Sequence, residues 1–423
     1  MRPTIIAGVL SLAAAACSTA PDFDLIVRGG TLHDGTGEAA NVRRADVGIK
    51  GDRIVAIGDL SARSAPDVID ATGKIVSPGF IDVQSRSGVA LLADGNGESH
   101  LRQGITSEIL GGSSPALWTA ATADTATLQR YGVTFDWSGL NGYFTKLESR
   151  GTAINVGTMV PLSIAHAAGD RSVFIDAAIR DGAFGVVDDV DADLQELTAV
   201  AAVVGRDEGL LMTKVESPLG SSDEALQMVG PQAHRIVLTG LSRMPPDGSL
   251  FQLVRRMVSA GQRNVFMSGT LTPYPAAPGG ADTVLRDALK FGSVMIGTDT
   301  SAATTGTAPP GTHPGGFGAF PRLLGTLARD DRVIELRDAI RRNTSMAASV
   351  FQIPQRGIIR ETYFADLVVF DERAIAGRAT FEKPNQYPAG IEYVIVNGVV
   401  TLTPKGLTGS RPGSRLVHGA ATR

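Results

Sequence analysis

Cysteine and aromatic residues are scarce in this 423-residue sequence, and each scarcity excludes a class of site. Cys17 is the only cysteine, so the chain forms no internal disulfide and offers no thiolate cluster to a metal. Phe, Trp and Tyr make up 5% of the residues, which argues against stacking surfaces for nucleic-acid bases. Lysine and arginine are scattered and the net charge is −4, so nothing favours a nucleic-acid partner.

The first 20 residues have the composition of a bacterial targeting segment. Arg2 gives a positive start, residues 5–12 form a short apolar run, and the small residues 13–16 lead to Cys17. The run is shorter than the roughly 20 apolar residues that a transmembrane helix needs. Residues 1–20 are therefore predicted to be a signal peptide and not part of the fold.

The end of that segment, Ala14-Ala15-Ala16-Cys17, resembles a bacterial lipobox, in which the cysteine is lipidated after cleavage. The match is imperfect because the third residue before the cysteine is usually leucine. The alternative is an ordinary cleaved signal with a chance cysteine. In the lipobox interpretation, Ser18 in place of aspartate favours the outer membrane. We therefore expect a periplasmic lipoprotein that is anchored in the outer membrane through a lipid on Cys17.

Alternating apolar and polar residues occur near both ends of the chain and predict a small β-domain. The pattern covers residues 21–78, with glycine-rich turns, and returns in residues 361–405 as "YFADLVVFD" and "IEYVIVNGVVTL". We expect one composite β-sandwich built from both segments. The remaining residues, 406–423, are rich in glycine, serine and arginine and are predicted to form a flexible tail.

Between these segments, over residues 79–360, short apolar stretches alternate with amphipathic ones. The amphipathic stretches predict crossover helices such as 191–207, where apolar residues recur at helical spacing. Eight strands joined by such helices favour an α/β fold, the (β/α)8 TIM barrel. The predicted strands are 79–84, 105–110, 153–160, 183–187, 209–215, 235–239, 263–268 and 294–298.

The order of several motifs resembles that of the N-acyl-D-amino-acid deacylases, a family of the amidohydrolase superfamily. The motifs include "LIVRGGTLHDGTG", "VIDATGKIVSPGFIDV", "LRQGITSEILGG" and "ATFEKPNQYPAGIEYVIVNG". The likeness covers nearly all of the chain after the targeting segment. It implies a metal-dependent (β/α)8 barrel with a small β-sandwich. It also implies hydrolysis of linear amide C–N bonds, in which zinc activates a water molecule and polarises the amide carbonyl.

The resemblance also implies which positions should bind zinc, and none of them holds a histidine or a cysteine. The family has His-x-His after strand one, a cysteine after strand two, and single histidines after strands five and six. This sequence has Gln84-Ser85-Arg86, Ser113, Lys214 and Gly240 at those positions. Asp299, after strand eight, keeps the family's acid/base position.

The remaining histidines offer no obvious replacement site. The chain contains His33, His100, His166, His234, His313 and His418. None pairs with another at helical or strand spacing, and we interpret His100 and His166 as lone surface or helix histidines. The carboxylates that could bind zinc instead are Glu108, Asp188, Asp189 and Glu216. Such residues more often lie on solvated edges, so no metal cofactor is expected.

Two of the replaced positions, Arg86 and Lys214, carry a positive charge where the family has a metal cation. We expect Asp299 to form an ion pair with one of them, because an unpaired buried carboxylate is very costly. The alternative is that both cations extend into solvent and Asp299 only caps a turn. His313 lies in a loop similar to the family's His-Pro-Arg motif, with Gly315 at the arginine position. Ser113 and His313 are therefore weaker candidates for substrate contacts.

Three functions are compatible with these residues. The first is a metal-free, hydrolytically inactive homologue that binds a small-molecule ligand or a partner. The second is a metal-independent enzyme that uses Asp299 with Lys214 or Arg86, since a lysine beside another cation can act as a base or nucleophile. The third is an active N-acyl-D-amino-acid deacylase with unrecognised metal ligands. Metal content separates the third function from the first two.

Overall fold

The computed structural model describes residues 21–111, 118, 125–241, 244, 247–259, 261, 264–270, 281–308 and 311–419. The predicted signal peptide with Cys17, and the candidate Ser113, lie outside the described residues. Within the described ranges, no helix is long and apolar enough to cross a membrane.

The described part contains strands at both chain ends and alternating strands and helices between them. The strands are β1 (Leu25–Leu32), β2 (Arg43–Lys50), β3 (Arg53–Gly58), β4 (Asp67–Asp70), β5 (Ile75–Pro78), β6 (Phe80–Ser85), β7 (Ile105–Leu110), β8 (Asn155–Thr158), β9 (Val160–Pro161), β10 (Gly185–Val187), β11 (Leu210–Lys214), β12 (Arg235–Thr239), β13 (Val265–Thr270), β14 (Val294–Gly297), β15 (Leu367–Phe370), β16 (Ile391–Val396), β17 (Val399–Thr403) and β18 (Gly406–Leu407). The helices are α1 (Gly88–Ala93), α2 (Glu98–Leu101), α3 (Thr125–Tyr131), α4 (Gly139–Arg150), α5 (Leu162–Ala167), α6 (Arg171–Arg180), α7 (Leu194–Arg206), α8 (Pro218–Ser221), α9 (Asp223–Val229), α10 (Ser249–Ser259), α11 (Ala281–Leu289), α12 (Gly315–Arg322), α13 (Leu336–Arg342) and α14 (Ser345–Val350).

The two chain ends meet in one nine-stranded sheet. Its hydrogen-bonded order is β18-β17-β16-β15-β5-β1-β2-β3, and β4 pairs with β1. Strand β15 lies antiparallel to β5, so the C-terminal strands extend the sheet that the N-terminal strands begin. Alternate residues such as Val27, Val47 and Leu367 are buried in a common core. The unit is thus composite, and its strands form one hydrogen-bonded path where the sequence predicted a sandwich.

The central strands form two parallel sheets. One has the order β14-β13-β12-β11-β10-β9, and the other has the order β6-β7-β8. Their edges meet where the amide of Asp299 donates to the carbonyl of Gln84 at 2.7 Å and the amide of Arg86 donates to the carbonyl of Thr300 at 2.9 Å. Within each sheet the strands follow chain order, and these two hydrogen bonds link the first central strand to the last. The closed eight-stranded barrel remains a prediction.

Apolar side chains from both parallel sheets share one core, including Ile81, Val83, Ile109, Met212 and Met295. The helices pack on the other faces of the sheets through amphipathic stripes. Helix α7 shows the local cause, because the Asp193 side chain caps it by accepting from the amide of Glu196 at 2.9 Å. Its buried face is formed by Leu197, Val200, Ala201, Val203 and Val204.

The segment predicted as a flexible tail is ordered over its described residues, so that prediction was wrong. Leu416 is buried among apolar residues of the sheet core, and the ring of His418 packs edge-on against Phe184. The amide of Leu416 donates to the carbonyl of Val156 at 2.8 Å. Apolar packing and hydrogen bonds such as that of the Ser414 amide to Asn155 Oδ1 hold this Gly/Ser/Arg-rich segment, which composition alone did not show.

Candidate functional site

Strands β6 and β14 bring the sequence-predicted site residues together at their carboxyl ends. Gln84 lies near the end of β6, Arg86 follows β6 and Asp299 follows β14, and the two backbone hydrogen bonds described above join these segments. The Ser301 hydroxyl adds a third link by donating to the carbonyl of Arg86 at 2.9 Å. We call the carboxyl ends of strands β6–β14 the carboxyl edge.

Arg86 and Asp299 form an ion pair at this edge. The Nε of Arg86 donates to Oδ1 of Asp299 at 2.7 Å, and the side chains are 40% and 21% exposed. Asp299 has a backbone φ of 49°, in the left-handed region that L-residues rarely adopt. The expected pairing of Asp299 with one of the two cations is therefore present with Arg86.

Lys214 has a different partner. Its ammonium group donates to the Asp191 carboxylate, which lies in the loop after β10, and Asp191 itself is largely exposed. The adjacent Asp188 is buried and accepts from the Thr213 hydroxyl at 2.8 Å, while Asp189 accepts from the Ser163 amide at 2.8 Å. The carboxylates after β10 are thus occupied by hydrogen bonds and an ion pair.

His313 lies near Asp299 but does not face it directly. Its Nδ1 accepts from the amide of Gly315 at 3.1 Å, and its ring packs edge-on against Phe381. Burial lowers the pKa of His313, and the nearby charge of Asp299 only partly opposes this. The ring is therefore neutral at pH 7, with Nδ1 committed to its own loop.

Several polar atoms near the carboxyl edge are buried and have no hydrogen-bond partner among the described residues. They are Gln84 Oε1, Ser217 Oγ, Ser268 Oγ and Thr300 Oγ1. Buried polar atoms in native proteins are nearly always paired with protein, water or ligand. The edge therefore has unused hydrogen-bonding capacity for a polar molecule.

A second group of polar residues lies on the opposite face of β6 and β7 from the apolar core. Asp82, His100 and Glu108, here called the buried triad, are fully buried. His100 Nδ1 lies 2.8 Å from Glu108 Oε2, and the Ser87 hydroxyl donates to the same oxygen at 3.3 Å. His100 lies in helix α2, as one of the two predicted placements has it. Its ring is enclosed and paired with Glu108, so the prediction of a lone histidine is wrong.

Asp82 is held by donors on both sides. Its Oδ1 accepts from the amides of Gln84 at 3.0 Å and Thr298 at 3.1 Å, and its Oδ2 lies 2.5 Å from the Thr298 hydroxyl. The sequence contained a signal for this group, since Glu108 is a charged residue in the apolar stretch "ITSEIL". Strand alternation would have placed it beside Asp82, its partner in the β6–β7 register.

A model of the amidohydrolase family matches residues 257–402. Two curated relatives align with nearly the whole chain. D-aminoacylase from Alcaligenes xylosoxydans xylosoxydans is 28% identical over 491 residues, covering 96% of this chain and 99% of the relative. N-acyl-D-glutamate deacylase from the same organism is 29% identical and covers 94% and 97%. The chain is therefore similar to amidohydrolases of the deacylase type along nearly its full length.

Solved structures of the family have the same fold. N-acyl-D-glutamate deacylase from Bordetella bronchiseptica, in complex with zinc and a phosphonate inhibitor, matches with a TM-score of 0.79 at 24% identity. The match covers 93% of this chain and 99% of that chain. A crystal structure of D-aminoacylase matches with a TM-score of 0.76 at 26% identity, covering 94% and 100%. The amidohydrolase architecture, with its additional β domain, therefore extends over nearly the full chain.

The residues at the carboxyl edge do not fit the zinc that the amidohydrolase family implies. Zinc in proteins is held by histidine nitrogen, cysteine sulfur or carboxylate oxygen. Here Arg86 and Lys214 bring positive charge, Gly240 brings no side chain, and the one carboxylate facing β6 is already paired with Arg86. Two fixed cations disfavour a dication, so no chemical step at this edge is derived through zinc.

The buried triad could in principle hold a metal ion, since one ligand atom from each residue lies within 4.8 Å of the others. Its hydrogen bonds favour a different arrangement. His100 Nδ1 already faces Glu108, so the free Nε2 lies on the other side of the ring from that carboxylate. Both oxygens of Asp82 are occupied by donors. The triad is a hydrogen-bonded cluster in which His100 Nε2 and Glu108 Oε1 have no hydrogen-bond partner among the described residues.

Proposed function

We propose that this amidohydrolase-family protein binds a small polar ligand at the carboxyl edge and does not hydrolyse amides by the family's metal-dependent reaction. The ion pair between Arg86 and Asp299 is the observation that supports this most directly. It places a permanent guanidinium cation against the one residue that keeps the family's acid/base position. Asp299 is thereby held as a hydrogen-bond acceptor and not as a proton carrier.

The chemistry of the edge favours a ligand with both a carboxylate and hydrogen-bond donors. The partly exposed Arg86 offers further guanidinium N–H donors in a planar fork that suits carboxylates. The unpartnered Gln84 Oε1 is an acceptor for an amide N–H. The relatives are named D-aminoacylase and N-acyl-D-glutamate deacylase, and an acylated amino acid has both groups. We propose this class of molecule as a ligand that is retained and not turned over.

Metal-independent catalysis by Asp299 with Lys214 receives no support from the arrangement of side chains. The ammonium of Lys214 is paired with the exposed Asp191 and not with Asp299. A catalytic lysine or acid/base pair needs its members within hydrogen-bond reach of each other or of the same reacting atom.

Three measurements test the proposal together. Elemental analysis of the purified protein should show zinc well below one ion per chain. Calorimetry with N-acetyl-D-glutamate or a similar acyl amino acid should show binding that Arg86→Gln weakens and the surface variant Lys405→Ala does not. The wild-type protein should release carboxylic acid and free amine from the acyl amino acid no faster than the Asp299→Asn variant does. One zinc ion per chain together with turnover that Asp299→Asn abolishes would contradict the proposal and favour an active deacylase.

We also propose that the protein is an outer-membrane lipoprotein of the periplasm, on the basis of the lipobox-like segment ending at Cys17. Growth with a radiolabelled fatty acid should label the wild-type protein and not Cys17→Ser. The variant should appear in the soluble periplasmic fraction. A wild-type protein that takes up no label would contradict the proposal and leave the ordinary cleaved signal.

A further inference from the structure

The buried triad contains more negative than positive charge. Asp82 and Glu108 are both carboxylates, and His100 is the cationic group that pairs with Glu108 and acts on Asp82. The remaining titratable group that faces the triad is Tyr143 on α4, whose hydroxyl donates to the carbonyl of Gly88. With both carboxylates and the imidazole ionised, the fully buried group has a net charge of −1.

The two carboxylates are direct neighbours. Asp82 and Glu108 are partners in the parallel register of β6 and β7, and both side chains point away from the apolar core. Burying a net charge of −1 destabilises the folded state more than leaving one buried hydroxyl without a hydrogen-bond acceptor. The group therefore gains from binding one additional proton.

The triad is connected to both halves of the ion pair at the carboxyl edge. On one side Glu108 contacts Ser87, whose hydroxyl also lies 2.8 Å from the Ser85 hydroxyl, and these two serines flank Arg86. On the other side Asp82 contacts Thr298, which directly precedes Asp299. The amide of Ala302 also donates to the Ser87 hydroxyl at 2.9 Å. Arg86 and Asp299 thus lie on two short segments that the triad fastens together.

We propose that Asp82, His100 and Glu108 form a proton-binding site that holds the Arg86 and Asp299 segments together and releases them as pH rises. Loss of that proton leaves two ionised buried carboxylates beside a single imidazolium. Their repulsion weakens the contacts of Asp82 with Thr298 and of Glu108 with Ser87. The proposal does not depend on which ligand the carboxyl edge binds.

The direction of the pH dependence follows from two groups. Burial by itself lowers the pKa of His100, but the hydrogen bond and charge of Glu108 and the charge of Asp82 outweigh burial and raise it. Burial raises the pKa of Asp82, and His100 and Thr298 only partly oppose this. Both folded-state values lie above the unfolded ones, so the folded state binds more protons. The contribution of His100 is complete below about pH 6.5 and is lost as pH rises through its folded value.

Hydrogen exchange measured by mass spectrometry between pH 6 and pH 9, corrected for the intrinsic rate, tests the proposal. Peptides containing residues 84–88 and 298–303 should lose protection by up to about tenfold per pH unit, the slope for one proton. Peptides from the nine-stranded sheet should not change. The variants Glu108→Gln and Asp82→Asn, which remove one negative charge each, should abolish the slope.

Two further variants keep the test decisive. His166→Gln removes a histidine that pairs with Glu196 at the surface, so it should keep the wild-type slope. If the variants of the triad do not fold, His100→Lys supplies a cation that titrates higher, and the loss of protection should move to higher pH. An unchanged slope in Glu108→Gln or His100→Lys would overturn the proposal. Bound metal that is lost in Glu108→Gln and retained in Arg86→Gln would also overturn it, because the triad would then be a metal site.

Discussion

Asp299 combines a left-handed backbone with an ion pair, and two substitutions separate these properties. Asparagine tolerates a φ of 49° much better than alanine does, because its side chain can hydrogen-bond locally. We expect Asp299→Asn to lose only the ion pair, which is partly exposed and contributes about 1 kcal/mol or less to the free energy of unfolding. Asp299→Ala should cost about 1–2 kcal/mol more.

Urea denaturation of the two variants measures this difference. Arg86→Gln serves as the matched control because it removes the same ion pair without changing the backbone at residue 299. Equal stability of Asp299→Asn and Asp299→Ala would show that the left-handed conformation imposes no strain here.

At the residue scale, a side chain's partner could be predicted only where both residues lie at the ends of predicted strands. The strand ends fixed the facing positions of Gln84, Arg86 and Asp299, so an ion pair at the carboxyl edge could be expected. The partner of Lys214 could not be predicted, because Asp191 lies in a loop after β10 and the sequence pattern does not define the path of that loop. The burial of His100 depends on how α2 packs against β7, which is a tertiary property.

At the scale of elements, the approach of β10 to β11 depends on Gly185. This residue has a φ of 140°, and a Cβ atom there would lie 1.9 Å from the carbonyl oxygen of Leu210. Gly185→Ala should therefore push the two strands apart and destabilise the protein by about 1–3 kcal/mol or more. Gly169→Ala is the control, because no atom lies within 4 Å of the added methyl group. The midpoint of thermal unfolding should therefore be lower for Gly185→Ala than for Gly169→Ala. Equal midpoints would show that β10 and β11 do not approach each other this closely at Gly185.

The C-terminal segment supports a second prediction at this scale. Leu416 is 4% exposed and packs in the core shared by the two parallel sheets. Leu416→Ala should lower the free energy of unfolding by about 2–5 kcal/mol, the usual range for a buried leucine. Lys405→Ala, on an exposed turn, should change it by less than about 0.5 kcal/mol. If Leu416→Ala leaves the free energy of unfolding unchanged, the prediction of a flexible tail from composition would be favoured again.

Element prediction succeeded where hydrophobic periodicity was long and failed where elements were short. The predicted strands 105–110 and 235–239 coincide with β7 and β12, and the predicted helix 191–207 contains α7. Helices α1 and α2 were missed because six and four residues are too few to show a 3.6-residue period. Helix α12 contains Pro321 and continues as a π-helix over Leu323–Asp330, a combination that pattern rules treat as a break.

At the scale of the whole molecule, the resemblance to deacylases is clear in the fold and weak at the positions that it implies as zinc ligands. The chain aligns with 99% of the length of D-aminoacylase, yet the positions implied as zinc ligands have changed together. Fold similarity therefore predicts the architecture but not the reaction, since function depends on the groups at the site. If only the ligands have been lost, the backbone of the carboxyl edge should still be able to present a metal site.

Restoring the ligands tests this directly. The variant Gln84→His, Arg86→His, Ser113→Cys and Lys214→His removes two cations and adds donors that bind zinc at about 2.0–2.3 Å. Residues 84 and 86 are suitable because their backbones are hydrogen-bonded to the segment that carries Asp299. Gly240→His completes the family set but is added separately, because Gly240 has a φ of 81° that a histidine adopts only with strain.

We expect the four-residue variant to take up close to one zinc ion per chain, as measured by elemental analysis after dialysis, with little hydrolysis of N-acyl-D-amino acids. Hydrolysis should stay low because the groups that orient each ligand have also changed, and losing such contacts typically reduces metal affinity or activity about 10–100-fold. The wild-type protein, treated identically, is the control for adventitious zinc. If the variant folds but binds no more zinc than the wild type, the edge differs from that of its relatives in more than its ligands. At least one of the positions assigned after strands one, two and five is then incorrect.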